Sequence, residues 1–313
     1  MKIAVWLAHS NVESWNFSPA NRARLASALP GVAVELCPDA EAFVRALADA
    51  EVAVGWRFRQ EWFAAAPRLQ WFVTPSAGRD YFEVSPPPGV TIGYSSFHGE
   101  LMAETVLGMM LASCRGILDA ARLQEKDPWP SLALAPRMRP LRGARLVILG
   151  FGHIGEWIAR LAKPLGVCIT GIRRHPVSPP AYFTPEDRVL SVDRLDEVLP
   201  EADHLALALP RSPETDHILD ARRLALLSSR AFVYNVGRGN AIDEQALARA
   251  LGEGRLAGAA LDVFATEPLP MDSPLRSAPN LLIMPHSSAV SPNYLDLFLE
   301  EFIKKFHARY KNT

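Results

Sequence analysis

Three side chains in the second half of the chain have the types and the settings that carbonyl chemistry asks for. Arg238 stands between two glycines, directly after the apolar run 231–236. Glu267 follows Asp262 in Gly258-Ala-Ala-Leu-Asp262-Val-Phe-Ala-Thr-Glu267-Pro-Leu-Pro, and His286 follows a short apolar run in Met284-Pro285-His286. A guanidinium fork can grip a carboxylate and polarise a carbonyl together. A protonated imidazole can donate to an oxygen that gathers negative charge, and a neighbouring carboxylate favours the charged ring. Taken singly, each has a plain structural reading: a turn arginine, a glutamate cap, a satisfied loop histidine. Taken together, at successive strand ends, they are what reduction of a 2-keto acid by hydride requires.

A hydride needs a carrier, and the sequence offers a place for one. Leu146-Val-Ile-Leu-Gly150-Phe-Gly152-His153-Ile154-Gly155-Glu reads as a strand, a GxGxxG turn and a helix start. Gly150 permits the tight turn, Gly152 lets the backbone approach a pyrophosphate, and Gly155 lets the helix pack on the strand. The amides at 152–155 then face the phosphates with the positive end of a helix dipole. The motif is weak alone; here it lies inside a strand–turn–helix pattern, the context that supports dinucleotide binding. The next strand ends Ile172-Arg173-Arg174-His175, with no acid before Glu186. An NAD site places a carboxylate near that point for the ribose hydroxyls, whereas two guanidinium groups suit a 2′-phosphate. NADP(H) is therefore the expected cofactor, with NAD(H) and two merely solvated arginines as the open alternatives.

These residues need a scaffold, and the chain alternates short apolar runs with helical patterns. Strands are predicted at 3–8, 32–36, 52–55, 69–73 and 90–93, with helices at 20–29 and 39–50 between them. One long helix is predicted from Gly99 to about Lys126, and 128–142, rich in proline and arginine, reads as a connecting loop. The alternation restarts with strands at 145–149, 167–172, 204–209, 231–236, 257–263 and 281–283, and a helix at 295–310 closes the sequence. Such alternation implies parallel sheets covered by helices, here as two α/β units.

Composition narrows the function classes. Lys plus Arg number 33 against 34 Asp plus Glu, a formal net charge of -1, which removes the electrostatic case for nucleic acid or a membrane surface. Cys37, Cys114 and Cys168 form no CxxC pair and no metal-ligand spacing, so buried, reduced thiols, a reducing compartment and no metal are expected. The N-terminal apolar run is too short for a secretory segment and no stretch reaches membrane-spanning length, so a cytoplasmic protein is expected.

From about Gly143 to Ala289 the chain resembles the D-isomer-specific 2-hydroxyacid dehydrogenases. The resemblance is carried by Gly150-Phe-Gly-His-Ile-Gly155, Leu209-Pro-Arg-Ser-Pro-Glu-Thr215, Asn235-Val-Gly-Arg-Gly239, Gly258-Ala-Ala-Leu-Asp-Val-Phe264, Glu267-Pro-Leu-Pro270 and Pro285-His286. In the first block, Ser76-Ala-Gly-Arg-Asp80 and Met102-Ala-Glu104 resemble the family's glycine loop and inter-domain helix start. The resemblance implies two Rossmann-like doubly wound domains. A flavodoxin-like substrate domain would comprise 1–98 and 286–313, an NAD(P)-binding Rossmann domain 99–285, with the active site between them and closed by domain motion. It implies Arg238, Glu267 and His286 as the catalytic set, and Asp262, Pro210, Val236 and Gly237 beside the nicotinamide. The amides of Ala77 and Gly78 would bind the substrate carboxylate. Homodimerisation through the inter-domain helix region is implied too.

The expected activity is that of a 2-ketoacid reductase of glyoxylate/hydroxypyruvate type, an NAD(P)-dependent oxidoreductase acting on CH–OH. Glu267 argues against a formate-dehydrogenase-like member, which would carry an amide there. A dinucleotide-sensing corepressor of the same fold, or an enzyme acting on phosphite or a larger keto acid, stays open. Arg173 departs from the family's usual acid, Arg79 from its usual small residue, and Ser95-Ser-Phe-His98 from its frequent Asn-containing turn. Trp56, Arg57 and His98 are candidates for the substrate pocket, with core or surface roles equally open.

Overall fold

The computed structural model describes residues 1–80 and 82–310. Tyr81 and 311–313, which belong to the expected segments 1–98 and 286–313, lie outside the described residues. Contacts divide the chain into two compact units, Met1–His98 with Val290–Thr313, and Gly99–Ala289.

The first unit contains β1 (Lys2–Trp6), α1 (Pro19–Ala28), β2 (Ala33–Leu36), α2 (Ala40–Ala46), β3 (Val52–Gly55), β4 (Trp71–Val73) and β5 (Thr91–Gly93). Its strands are parallel, in the order β2-β1-β3-β4-β5. Short capping residues start the helices. Ser18 accepts from Asn21 N ahead of Pro19, and Asp39 accepts from Ala42 N, each meeting an amide that the first turn leaves without a partner. Phe43, Phe58, Trp62 and Phe72 fill the core, stacked tilted or edge-on as aromatic quadrupoles prefer.

The second unit begins with α3 (His98–Cys114), α4 (Ile117–Leu123) and α5 (Ser131–Leu134). The single helix predicted to about Lys126 is therefore two. Gly116 adopts φ +68, a left-handed conformation that stops one helix and precedes the next. The segment read as a loop also contains one helical turn. There follow β6 (Arg145–Leu149), α6 (His153–Ala162), β7 (Cys168–Arg173), β8 (Arg188–Ser191), α7 (Leu195–Val198), β9 (His204–Leu207), α8 (Ala221–Leu226), β10 (Phe232–Asn235), α9 (Glu244–Gly252), β11 (Gly258–Leu261) and β12 (Leu281–Ile283). The seven strands are parallel, in the order β12-β11-β10-β9-β6-β7-β8. Sequence reading missed β8, an edge strand without a fully buried residue.

Alternation along each central strand builds two cores. Val147 and Leu149, Leu205 and Leu207, and Ala259 and Leu261 point to one face; Leu146 and Ile148, Ala206, and Ala260 point to the other. Each leucine or valine so enclosed contributes about 1.5–3 kcal/mol of burial. Helices cover both faces, as a doubly wound parallel sheet requires. The chain then returns to the first unit as α10 (Tyr294–Arg309).

His286–Ala289 group with the second unit, whereas the returning segment was expected to begin at 286. The amide of His286 donates to Asp262 O at 2.8 Å, and those of Ser287 and Ser288 donate to the Asp262 carboxylate, so β11 holds this stretch. Cys37 and Cys114 are buried and Cys168 is half-buried, a correction to the expectation that all three are enclosed; none forms a disulfide. Among the described residues, no single helix is long and apolar enough to cross a membrane.

Candidate active site

Strand order in the second unit reverses between β6 and β9, and the loops leaving their C-terminal ends meet there. After β6, Gly150 has φ +99, and a Cβ on it would lie 2.6 Å from Ala208 O. A Cβ on Gly155 would lie 2.5 Å from Gly150 O, so α6 packs on the strand only because that atom is missing. Gly152 and His153 are exposed and Ile154 half-buried. A side chain at Gly152 would meet no protein atom within 4 Å, and the first amides of α6 have no side-chain cap. An open turn ending in uncapped helix amides fits a pyrophosphate by charge and by space.

The next strand, β7, brings Arg173 and Arg174 to the same edge of the sheet. Arg173 is half-buried and Arg174 exposed. Arg174 lies 3.6 Å from Glu214, both about two-thirds exposed, while Arg173 has no ion-pair partner among the described residues. The acids downstream do not replace the missing carboxylate. Asp187 is enclosed, pairs with Lys163 at 2.5 Å and accepts from Ile169 N and Thr184 N. Burial would raise its pKa, but Lys163 and the amides outweigh that and hold it below the ordinary value.

Across the switch point, Pro210 follows β9 and its carbonyl accepts from Thr215 Oγ1 at 2.9 Å. Val236 is 1% exposed and donates from its amide to Leu207 O, and a Cβ on Gly237 would lie 2.5 Å from Leu209 N. Arg238 is shaped by a residue that sequence reading gave no role. Buried Asn235 receives Gly237 N at 3.0 Å and donates through Nδ2 to Arg238 O at 3.0 Å, strapping the Gly-Arg-Gly turn. Arg238 Nη1 donates to Gly237 O.

Glu267 and His286 are brought into contact, with His286 Nδ1 at 2.7 Å from Glu267 Oε2 and each side chain about one-third exposed. Phe264 N donates to Glu267 Oε1 at 2.9 Å. Burial would raise the pKa of Glu267; the bond from His286, the amide of Phe264 and the charges of His286 and Arg238 together pull it below the usual value. Arg238 is thus close enough for its charge to be felt at the pair. His286 has φ +52, a conformation uncommon for a residue with a side chain, and the clasp by Asp262 holds it there. Asp262 is fully buried and accepts from Ser287 N on Oδ1 at 2.7 Å and from Ser288 N on Oδ2 at 2.9 Å. That structural use was not legible in sequence, where Asp262 stood only for a cofactor contact.

The remaining candidates lie in the first unit. Ala77 and Gly78 follow β4 in a turn where Ser76 Oγ donates to Gly78 O at 3.1 Å. Arg79 is exposed with its guanidinium over the Tyr94 ring. Trp56 packs among His9, Trp15 and Tyr294, and Arg57 beside it is exposed. His98 is 5% exposed and its Nε2 lies 2.8 Å from Tyr294 Oη, a core position within this unit.

With this geometry in view, comparison with known proteins gives a consistent answer. Residues 107–288 match the family model described as the D-isomer specific 2-hydroxyacid dehydrogenase, NAD binding domain. A glyoxylate/hydroxypyruvate reductase B of Pectobacterium carotovorum subsp. carotovorum (strain PC1) is 32% identical over 85% of this chain and 83% of its own. A D-isomer specific 2-hydroxyacid dehydrogenase family protein from Aeromonas salmonicida subsp. salmonicida A449 superposes with TM-score 0.77 at 30% identity, covering 98% of this chain and 96% of the other. A D-isomer specific 2-hydroxyacid dehydrogenase from Xanthobacter autotrophicus Py2, solved with NADPH and MES, gives 0.77 at 27% identity over 98% and 95%. The chain belongs to the D-isomer-specific 2-hydroxyacid dehydrogenases, nicotinamide-dinucleotide oxidoreductases acting on a CH–OH group.

Proposed function

We propose that the protein reduces a small 2-keto acid of glyoxylate or hydroxypyruvate type, with NADPH as the preferred donor. One observation carries the chemistry: a histidine bonded to a glutamate, within the field of an arginine, on loops from one sheet edge. The bound nicotinamide supplies hydride to C2. Arg238 grips the substrate carboxylate and draws on the keto oxygen. Glu267 occupies Nδ1 of His286, which leaves Nε2 to give its proton to that oxygen as charge builds there. Hydride and proton together convert C=O to CH–OH.

Gly150, Gly152, His153, Ile154 and Gly155 would hold the pyrophosphate, while Pro210, Val236, Gly237 and Asp262 line the nicotinamide end. Ala77 and Gly78 would offer amides to the substrate carboxylate. The Pectobacterium relative supports the substrate class and the NADPH bound to the Xanthobacter structure supports the cofactor. The half-buried Arg173 without an acidic partner supports it independently. Three unpaired thiols agree with a cytoplasmic location. Ile117, Trp129, Leu132 and Met138 are 56%, 82%, 92% and 40% exposed, an apolar set that a second copy of the chain would cover. Light scattering at the monomer mass of 34.4 kDa would remove the dimer.

The direct test is loss of NADPH absorbance with a panel of 2-keto acids. Turnover of glyoxylate or hydroxypyruvate, faster with NADPH than with NADH, is expected. Tight NADPH binding with no turnover of any acid would instead favour a dinucleotide sensor.

A further inference from the structure

The loop that presents Glu267 is tied by a second carboxylate that has no part in the scheme above. Glu244 is the first residue of α9, but the helix is capped by its neighbour Asp243, whose side chain accepts from Ala246 N. Glu244 turns elsewhere. Its Oε1 accepts the amide of Ala265 at 2.7 Å, while the preceding amide, Phe264 N, donates to Glu267 Oε1 at 2.9 Å. Two successive amides of one loop thus go to two different carboxylates. The turn leading into α9 lies hard against the same loop: a Cβ on Gly239 would fall 1.8 Å from the Phe264 carbonyl carbon.

Glu244 is half-buried, and burial raises its pKa; the Ala265 amide opposes this, the charge of Glu267 adds to it and His217 lowers it. The two carboxylates therefore sense one another. Other charged groups near the two carboxylates include His217, Arg238 from the turn after β10, Asp262 from the end of β11 and Asp243 at the start of α9. Of these acids, Asp262 accepts the amides of Ser287 and Ser288 and Asp243 that of Ala246 in its own helix, whereas Glu244 accepts from Ala265 in the loop that presents Glu267.

We propose that Glu244 is a positioning residue for the Glu267–His286 pair: it fixes the presenting loop through Ala265 N, and its charge helps keep the proton on the pair. The inference rests on the acid–base reading of His286. In the reduction direction the protonated pair is the active form, so kcat/KM falls as pH rises through its titration. Removing a nearby negative charge makes the proton easier to lose.

Glu244→Gln keeps an oxygen for Ala265 N and discards the charge. The alkaline limb of kcat/KM is expected to move to lower pH by about half a unit or more, as for loss of one charge across a partly buried gap. Glu244→Asp keeps the charge and shortens the reach, so kcat should fall while the limb stays in place. The imidazole signals of His286, followed by NMR without substrate, should shift their midpoint in Glu244→Gln by the same amount as the limb. A Gln variant whose limb and imidazole midpoint match the parent overturns the inference. So does an Asp variant whose limb moves as far as expected for loss of charge, which keeps the test open even where Glu244→Gln does not fold. A shifted imidazole midpoint in a protein that reduces no 2-keto acid would end the proposed activity while leaving the coupling of Glu244 to the pair intact.

Discussion

The two ends of the proposed dinucleotide groove are built in opposite ways. At the acid–base end, His286, Glu267 and Arg238 are each held by neighbours: the Asp262 clasp, the Phe264 amide and the Asn235 strap. At the proposed ribose end, Arg173 is half-buried and Arg174 exposed, and Arg174 lies 3.6 Å from an exposed glutamate. Chemistry demands groups fixed to a fraction of an ångström before the reaction begins. Selection between two cofactors asks only for charge of the right sign near the right point, which flexible side chains supply. On the proposed roles, the contrast teaches that reactivity would be a property of backbone hydrogen bonding, and cofactor preference a property of surface charge.

The strongest way to break that contrast is at its rigid end. Arg238→Ala and His286→Ala should each lower kcat for reduction by about a thousandfold while leaving cofactor affinity nearly unchanged. Steady-state kinetics with NADPH titration by fluorescence checks both; near-parental turnover in either variant removes the assigned role.

Acid sensitivity of the fold must be separated from that of the reaction, and His204 predicts its size. The ring is 3% exposed, bonded to Tyr234 Oη at 3.0 Å, and burial lowers its pKa to about 4 from the ordinary 6.5, with Asp203 opposing and Arg139 assisting. Above 6.5 both folded and unfolded chains carry it neutral. Between 6.5 and about 4 the unfolded chain takes up a proton that the folded one refuses, so stability is lost as pH falls, on the order of 3 kcal/mol in all. Urea unfolding at several pH values should show this loss in the parent and a smaller one in His204→Gln. Equal acid losses in the two proteins would show that another group is responsible.

The smallest effect belongs to the exposed end. Replacing Arg173 and Arg174 with alanine should raise KM for NADPH about ten- to a hundredfold, as for loss of one or two charge-assisted hydrogen bonds, and should hardly alter KM for NADH. A parallel rise for both cofactors would place the arginines outside the 2′-phosphate contact.

Much of this architecture was legible because buried parallel strands announce themselves as continuous apolar runs. β3, β6 and β12 lie at the residues expected for them, and the glycine turn is where the spacing put it. β8 escaped because its Arg-Val-Leu-Ser stretch is short and only half-covered, so no apolar run marks it. Gly116 looked like one more residue in a helical pattern, and only its left-handed backbone reveals the break. The Glu267–His286 contact was suggested by residue type. The residues that make it rigid were not: Glu244 and Asp262 act on amides far from them in the chain and Asn235 on the backbone of its own turn, and backbone partners carry no side-chain signature.

The grip of Asp262 on Ser287 and Ser288 also fixes which body owns the proposed proton donor. The chain crosses to the first unit only after Ala289, so the imidazole, its carboxylate and the guanidinium all hang from a single seven-stranded frame. Their mutual spacing is therefore set within one unit, on the near side of the crossing at residue 290, by the same sheet that carries the glycine turn.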